Sequence, residues 1–167
     1  TGPADVAPPV GAQVTCVQTA TEMLKAVEAA LPCDVAIFAA AVADWRVNVE
    51  NASKIKKENG KLPALEFAEN SDILSTVAHH DSDRPTLVIG FAAETDNVVH
   101  NACVKLKIKG CDWIVANDVS SETGIMGGNE NAVHLISAEG VDKWDRMSKT
   151  QVAERLVQKI CDALGEE

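Results

Sequence analysis

Apolar positions along this chain follow two alternating rhythms. Continuous apolar runs at Asp34–Val42 (DVAIFAAAV), Thr86–Phe91 (TLVIGF) and Trp113–Ala116 (WIVA) predict strands buried on both faces. Helical spacing fills the stretches between them. Thr19-x-x-Glu22 is a capping box that opens an Ala-rich helix to about Leu31, where Pro32 stops it. Asn70 or Ser71 caps a second helix to about His79, and Thr95 caps a third that ends at Gly110. Ser148-x-x-Gln151 caps a final helix with an apolar stripe at Val152, Leu156, Ile160 and Leu164. Val14–Val17 reads as a short leading strand, and Ala132–Ser137 and about Val141–Met147 as paired strands around Gly140. Ser53–Lys57 and Leu62–Phe67 flank Asn59-Gly60, a hairpin-turn signal. A Gly/Asn/Ser-rich loop covers Asn117–Asn131.

This order predicts an α/β fold: one domain over residues 1–167, a three-layer Rossmann-like, mostly parallel sheet with right-handed crossovers, and a projecting lysine-rich β-hairpin arm. Ligands in such sheets bind beyond the carboxyl ends of the strands. Those ends fall at Ala40–Asp44, Phe91–Thr95 and Asn117–Val119, where each apolar run meets polar residues: Asp44, Glu94 with Thr95, and Asn117 with Asp118.

Composition narrows the picture. Apolar residues make up 46% of the 167, with three Phe, three Trp and no Tyr, so Ala, Val, Ile and Leu must fill the core. A formal charge of −10 disfavours generic binding to nucleic acid or anionic lipid. The lysines are uneven, however. Lys54, Lys56, Lys57 and Lys61 form one group, and Lys105, Lys107 and Lys109 another. Each group reads either as a local anion site or as a solvated face. Five cysteines without a C-x-x-C pair fit reduced thiols of a cytoplasmic protein. No apolar run reaches the ~18 residues of a membrane span. The histidines lack metal-ligand spacing, and Gly124, Gly127 and Gly128 lack the strand-then-helix setting of a phosphate cradle.

Four segments are distinctive together: Ala39-Ala-Ala-Val-Ala-Asp44, Lys54-Ile-Lys-Lys57, Gly90-Phe-Ala-Ala-Glu-Thr95 and Ala116-Asn-Asp-Val-Ser120. In this order and spacing the chain resembles phosphopantothenate–cysteine ligase, the C-terminal half of a bifunctional coenzyme A biosynthesis flavoprotein. The resemblance implies CTP-dependent coupling of 4'-phosphopantothenate to L-cysteine through an acyl-cytidylate. It also implies Mg²⁺, a homodimer, and fusion to an FMN-binding decarboxylase domain. By the same resemblance Lys54 is the catalytic lysine, with Lys56, Lys57 and Asn117 near the substrate. Ala39, Ala40, Asp44, Asp72, Ile73, Leu74, Ser75, Phe91, Lys105 and Lys109 correspond to nucleotide contacts, and Asp44 is also associated with the metal. Blander readings stand beside several of these. Asp72–Ser75 also reads as a capping turn, Phe91 as core, and Lys105 and Lys109 as cations offsetting the helix dipole. Trp45 stands where the family often has another aromatic.

The family's ligase domain begins earlier, with a strand, a Gly-rich loop, a helix and a second strand ending at a Ser/Thr-Gly-Pro like Thr1-Gly2-Pro3. That stretch carries a catalytic asparagine, so the chain alone is expected to be inactive or nearly so. Two other readings are a non-catalytic nucleotide-binding module and a different α/β enzyme, such as a dehydrogenase or methyltransferase. The absence of a G-x-G-x-x-G turn weakens the last.

Overall fold

The computed structural model describes residues 1–4, 7–48, 65–120, 125 and 128–165. In chain order the elements are α1 (Ala20–Glu28), β1 (Val35–Phe38), β2 (Trp45–Val47), β3 (Phe67–Glu69), α2 (Ile73–Ala78), β4 (Leu87–Glu94), α3 (Val98–Lys109), β5 (Trp113–Asp118), β6 (Glu130–Ser137), β7 (Gly140–Ser148) and α4 (Lys149–Leu164). They fall into two compact units, one of Thr1–Ala29 with Ala40–Ile73 and a larger one of Ala30–Ala39 with Leu74–Glu167.

The larger unit is a three-layer α/β body around a five-stranded sheet of order β1-β4-β5-β6-β7. The apolar runs make its parallel part, β1 on β4 and β4 on β5. The β6–β7 hairpin continues it antiparallel. Side chains alternate across a strand, so odd and even positions serve different helices. On one face Leu87, Ile89, Val115, Val133, Leu135 and Trp144 pack against Val152, Leu156 and Ile160 of α4. The α4 stripe is therefore the one its spacing predicts. The helix starts where expected, with both bonds of the Ser148/Gln151 capping box formed. Asp142 ties this layer to β7. It accepts from Trp144 Nε1 at 2.9 Å and faces Arg155 and Lys159 of α4, while the Arg155 guanidinium lies 4.6 Å from the Trp144 ring centroid.

The opposite face carries α2 and α3. Gly90 is what lets α2 approach: a Cβ there would lie 2.6 Å from a Leu74 methyl and 2.9 Å from Ile114. α3 ends at Gly110, whose φ of +67° makes the left-handed cap that glycine favours. Beyond it Cys111 is buried, and loss of hydration pushes its thiol up to about 11.

At the amino-terminal edge of the sheet, Arg84 closes the chain ends together. Its Nε donates to Ala78 O at 2.8 Å, its Nη1 to Pro85 O at 2.9 Å, and its Nη2 to both Asp112 oxygens at 3.0 Å. Asp112 in turn accepts the Val88 backbone N–H at 2.7 Å. One side chain thus joins the end of α2 to the starts of β4 and β5.

In the smaller unit, α1 opens with both bonds of the expected Thr19/Glu22 capping box. β2 and β3 form a two-stranded antiparallel ladder in which Val47 faces Phe67 and Trp45 faces Glu69. Trp45, Val47 and Phe67 are exposed. The arm itself, with Asn59-Gly60, lies outside the described residues.

Several elements differ from expectation. Val14–Val17 forms no strand; its nearest approach to a ladder is Val17 N–H to Thr1 O, with the Thr1 amine on Thr15 O. Two isolated bonds do not make the repeating pair a strand requires. β1 stops at Phe38, because only Val35–Phe38 find partners on β4. Thr95 does not cap α3. β4 instead runs on through Glu94 and a turn follows, leaving Asn97, at φ +43°, as the first cap residue without a side-chain cap bond.

Candidate functional site

The carboxyl edge of β4 and β5 collects polar side chains in one place. Glu94 and Asp118 are paired in register at the two strand tips, and the ladder is extended by Val119 N–H to Glu94 O at 2.8 Å. The chain then returns along α3, which brings Asn101 and Lys105 back to the tip of β4. Lys105 Nζ lies 2.6 Å from Glu94 Oε1, and Asn101 Nδ2 donates to Glu94 Oε2 at 3.2 Å. The Glu94 side chain is only 12% exposed, whereas Lys105 is 43% exposed. Oε1 is buried beside this charge without an aligned donor among the described residues, so its contact with the amine is electrostatic. The outcome is an ammonium held against a largely buried carboxylate, at the end of a side chain that is itself partly exposed. Asp118 is held differently. The Ser120 side chain, then the Ser120 backbone N–H at 2.8 Å, keep its carboxyl below the usual aspartate range.

The expected site residues of the larger unit divide between the two faces. Glu94 shares its face with Gly90, against which α2 packs, and Lys105 reaches it from α3. Phe91 and Asn117 have the parity of Ile89 and Val115, which face α4. Phe91 is 37% exposed. Lys109 shares a helix face with Lys105 but lies one turn, about 6 Å, nearer the opposite edge of the sheet. Leu74 rests on the backbone of β4 at Gly90, and Ser75 bonds within α2, its carbonyl 2.9 Å from His79 Nδ1. Ala39 follows β1 directly and is exposed.

In the smaller unit, Ala40 lines a cavity of about 420 Å³ with Thr1, Gly2, Thr19, Met23 and Asn70. Asn70 shapes its wall: its side-chain amide donates to Ala43 O and its backbone N–H to Asp44 O, both at 2.8 Å. These bonds use the Asp44 backbone and leave its carboxylate exposed. Mg²⁺ typically keeps several waters and takes one or two carboxylates plus substrate phosphates. One open carboxylate fits that mode. Among the described residues no group of three His, Cys, Asp or Glu side chains could hold a metal by itself. Asp72 is exposed and Ile73 is buried at the start of α2. Lys54, Lys56 and Lys57 lie outside the described residues.

Sequence reasoning placed Glu94 at a strand tip without giving it a role, and passed over Asn101. The only signal was an acid closing a strand, followed at helical return distance by an amide and a lysine four apart. That pattern becomes specific only once the helix is known to fold back over the same strand.

Together these features define a class: an α/β domain with a lysine and amides at the carboxyl rim of parallel strands, the usual place for small anionic ligands. Comparison with known proteins narrows the class. The family described as DNA/pantothenate metabolism flavoprotein C-terminal domain matches residues 1–164, and the chain belongs to it. It is 38% identical over 162 residues to the coenzyme A biosynthesis bifunctional protein CoaBC of Haemophilus influenzae, covering 96% of this chain and 40% of that protein. The CoaBC of Mycobacterium tuberculosis strain H37Rv is 35% identical over 167 residues, with coverage of 94% and 40%. The chain thus spans about two fifths of the length of these relatives. Among solved structures, the C-terminal domain of a CoaBC protein superposes with a TM-score of 0.76 at 32% identity, covering 99% of this chain and 73% of that one.

Proposed function

We propose that this chain is the ligase part of a coenzyme A biosynthesis protein, joining 4'-phosphopantothenate to L-cysteine at the expense of CTP. The substrate carboxylate attacks the α-phosphorus of CTP. A C–O–P linkage forms, pyrophosphate leaves, and an acyl-cytidylate results. The cysteine amine then attacks the acyl carbon. CMP leaves, the amide forms, and the amine proton passes to solvent. A triphosphate, a phosphate monoester and a carboxylate must come together, so cations have to offset their mutual repulsion.

In this reading Lys105 of α3 takes the nucleotide at the rim with Phe91, Lys109 contributes from one turn further along α3, and Asp72, Ile73, Leu74 and Ser75 are further nucleotide contacts. Ala39 and Ala40 offer backbone groups, and Asn117 shapes the substrate side. Lys54 stabilises the activation step, with Lys56 and Lys57 beside the substrate phosphate. Asp44 would hold Mg²⁺, which supplies charge neutralisation at the phosphates when bound. The protein is cytoplasmic and homodimeric, and is fused in its longer form to an FMN-binding decarboxylase domain. No helix among the described residues is long and apolar enough to cross a membrane.

The observation that supports the reading most directly is the Lys105 ammonium, held at the β4 tip on a partly exposed side chain, in a chain of this family. Calorimetric titration tests it. CTP should bind, and Lys105→Ala should weaken binding about tenfold, the usual scale for a lost charge-assisted contact. An unchanged affinity would remove Lys105 from the site. In the bifunctional parent, Lys54→Ala should abolish acyl-cytidylate formation measured as pyrophosphate release. An unaltered rate would remove Lys54 from the chemistry.

A further inference from the structure

A lysine that already touches a carboxylate looks like a poor receptor for an anion. The negative charge of Glu94 lies 2.6 Å from Lys105 Nζ and lowers the positive potential that a phosphate would meet. If the pair were only an electrostatic neighbour of the nucleotide, Glu94 would oppose binding. The geometry suggests a different role. Lys105 has four rotatable bonds and one end in solvent, so an unheld amine would wander over several ångströms and lose entropy on every binding event. Glu94 is not free to wander. It is largely buried, its Oε2 is fixed by Asn101 Nδ2 at 3.2 Å, and Asn101 Nδ2 also donates to the Asp96 carbonyl at 3.1 Å. The backbone beneath it is locked by the β4–β5 register and by Val119 N–H on the Glu94 carbonyl.

We propose that Glu94 is a positioning residue. It anchors the Lys105 amine at the carboxyl rim of β4, with Asn101 holding Glu94 in turn, so that the ordering of the lysine is complete before the nucleotide triphosphate arrives. This rests on the assignment of Lys105 to the nucleotide made above. The sign of the effect separates anchoring from mere proximity. Removing a negative charge beside an anion site strengthens anion binding if charge alone matters, and weakens it if the carboxylate was holding the cation in place.

The test is a double-mutant cycle read by calorimetric titration of the full chain with CTP and Mg²⁺. Glu94→Gln keeps the shape and removes the charge, and thermal melts of each variant check that the fold is retained. Anchoring predicts CTP affinity about tenfold weaker in Glu94→Gln, and no further change when the same substitution is made in Lys105→Ala. Asn101→Ala, which leaves both charges in place, should weaken CTP in the same direction by a smaller factor. Affinity that is unchanged or tighter in Glu94→Gln overturns the proposal, as does an equal loss with and without Lys105. If Glu94→Gln fails to fold, Asn101→Ala decides alone, and an unchanged affinity there overturns the anchoring role. If Lys105→Ala itself leaves CTP binding untouched, the assignment of Lys105 fails first, and anchoring fails with it.

Discussion

The two ends of the larger unit's sheet each carry an ion pair between neighbouring elements, and the pairs are built in opposite ways. At the amino-terminal edge, Arg84 gives three of its nitrogens to the carbonyls of Ala78, Pro85 and Gly110 and to both oxygens of Asp112, and Asp112 also takes a backbone N–H of β4. The described bonds there join protein to protein and tie three chain segments together. At the carboxyl edge, Lys105 meets Glu94 through a single oxygen, and its side chain is partly exposed. Both pairs sit at strand ends and both are partly exposed. What separates them is directed bonding: one end is closed by it and the other keeps a cation in reserve. Under the proposed function, stability and binding would fall at opposite edges of one sheet, in line with ligands using the carboxyl ends of parallel strands.

Substitutions at the two edges should therefore fail in different assays. Arg84→Ala has the largest expected effect on stability. It strands Asp112 and frees three carbonyls at once, and chemical denaturation should show a loss of about 2–3 kcal/mol with CTP affinity nearly unchanged. A comparable loss of nucleotide binding would blur the contrast between the edges. Gly110→Ala comes next, at about 1–2 kcal/mol, since it combines a φ of +67° with a Cβ 2.6 Å from the His79 ring. In a His79→Ala background the steric part should vanish and the backbone part remain; equal losses in both backgrounds would exclude the clash. Lys105→Ala should cost about 1 kcal/mol of stability, because Glu94, 12% exposed, loses its cation and keeps only the Asn101 amide among the described bonds, while carrying the loss of CTP binding proposed above.

The smallest effect belongs to Asp118. Its native carboxyl lies below the ordinary range, so its contribution to stability is complete above the unfolded aspartate pKa and fades as pH falls through the native value. Ser120→Ala should raise the Asp118 pKa towards the ordinary value in an NMR titration. No movement would mean that the backbone N–H alone sets it.

The sequence was most readable where local chemistry and periodicity agree. Both capping boxes formed, because Thr19/Glu22 and Ser148/Gln151 satisfy their helix starts without help from the rest of the chain. The α4 stripe and the Gly110 cap were legible for the same reason. Strand limits were not, since a strand ends where its partner ends. The run Asp34–Val42 carries no mark at Phe38, and only pairing with Gly90 sets that limit. Thr95 looked like a cap because nothing local reveals that β5 keeps Glu94 in the ladder. The candidate site followed the same division. Lys105 was singled out by its match to a family lysine. Its relation to Glu94 and Asn101 exists only after a parallel register and a returning helix are combined, and the same holds for Asp142, Trp144 and Arg155.

Cys111 sits where the closed edge is tightest, next to Gly110 and beside Asp112, and its thiol resists ionisation. Reagents that alkylate thiolates will consume the exposed Cys16 and Cys33 quickly and reach Cys111 only during excursions that part α3 from the sheet. Mass-spectrometric timing of that last adduct would serve as a clock for such openings. Its rate should quicken sharply in Arg84→Ala and hardly at all when the opposite rim is altered.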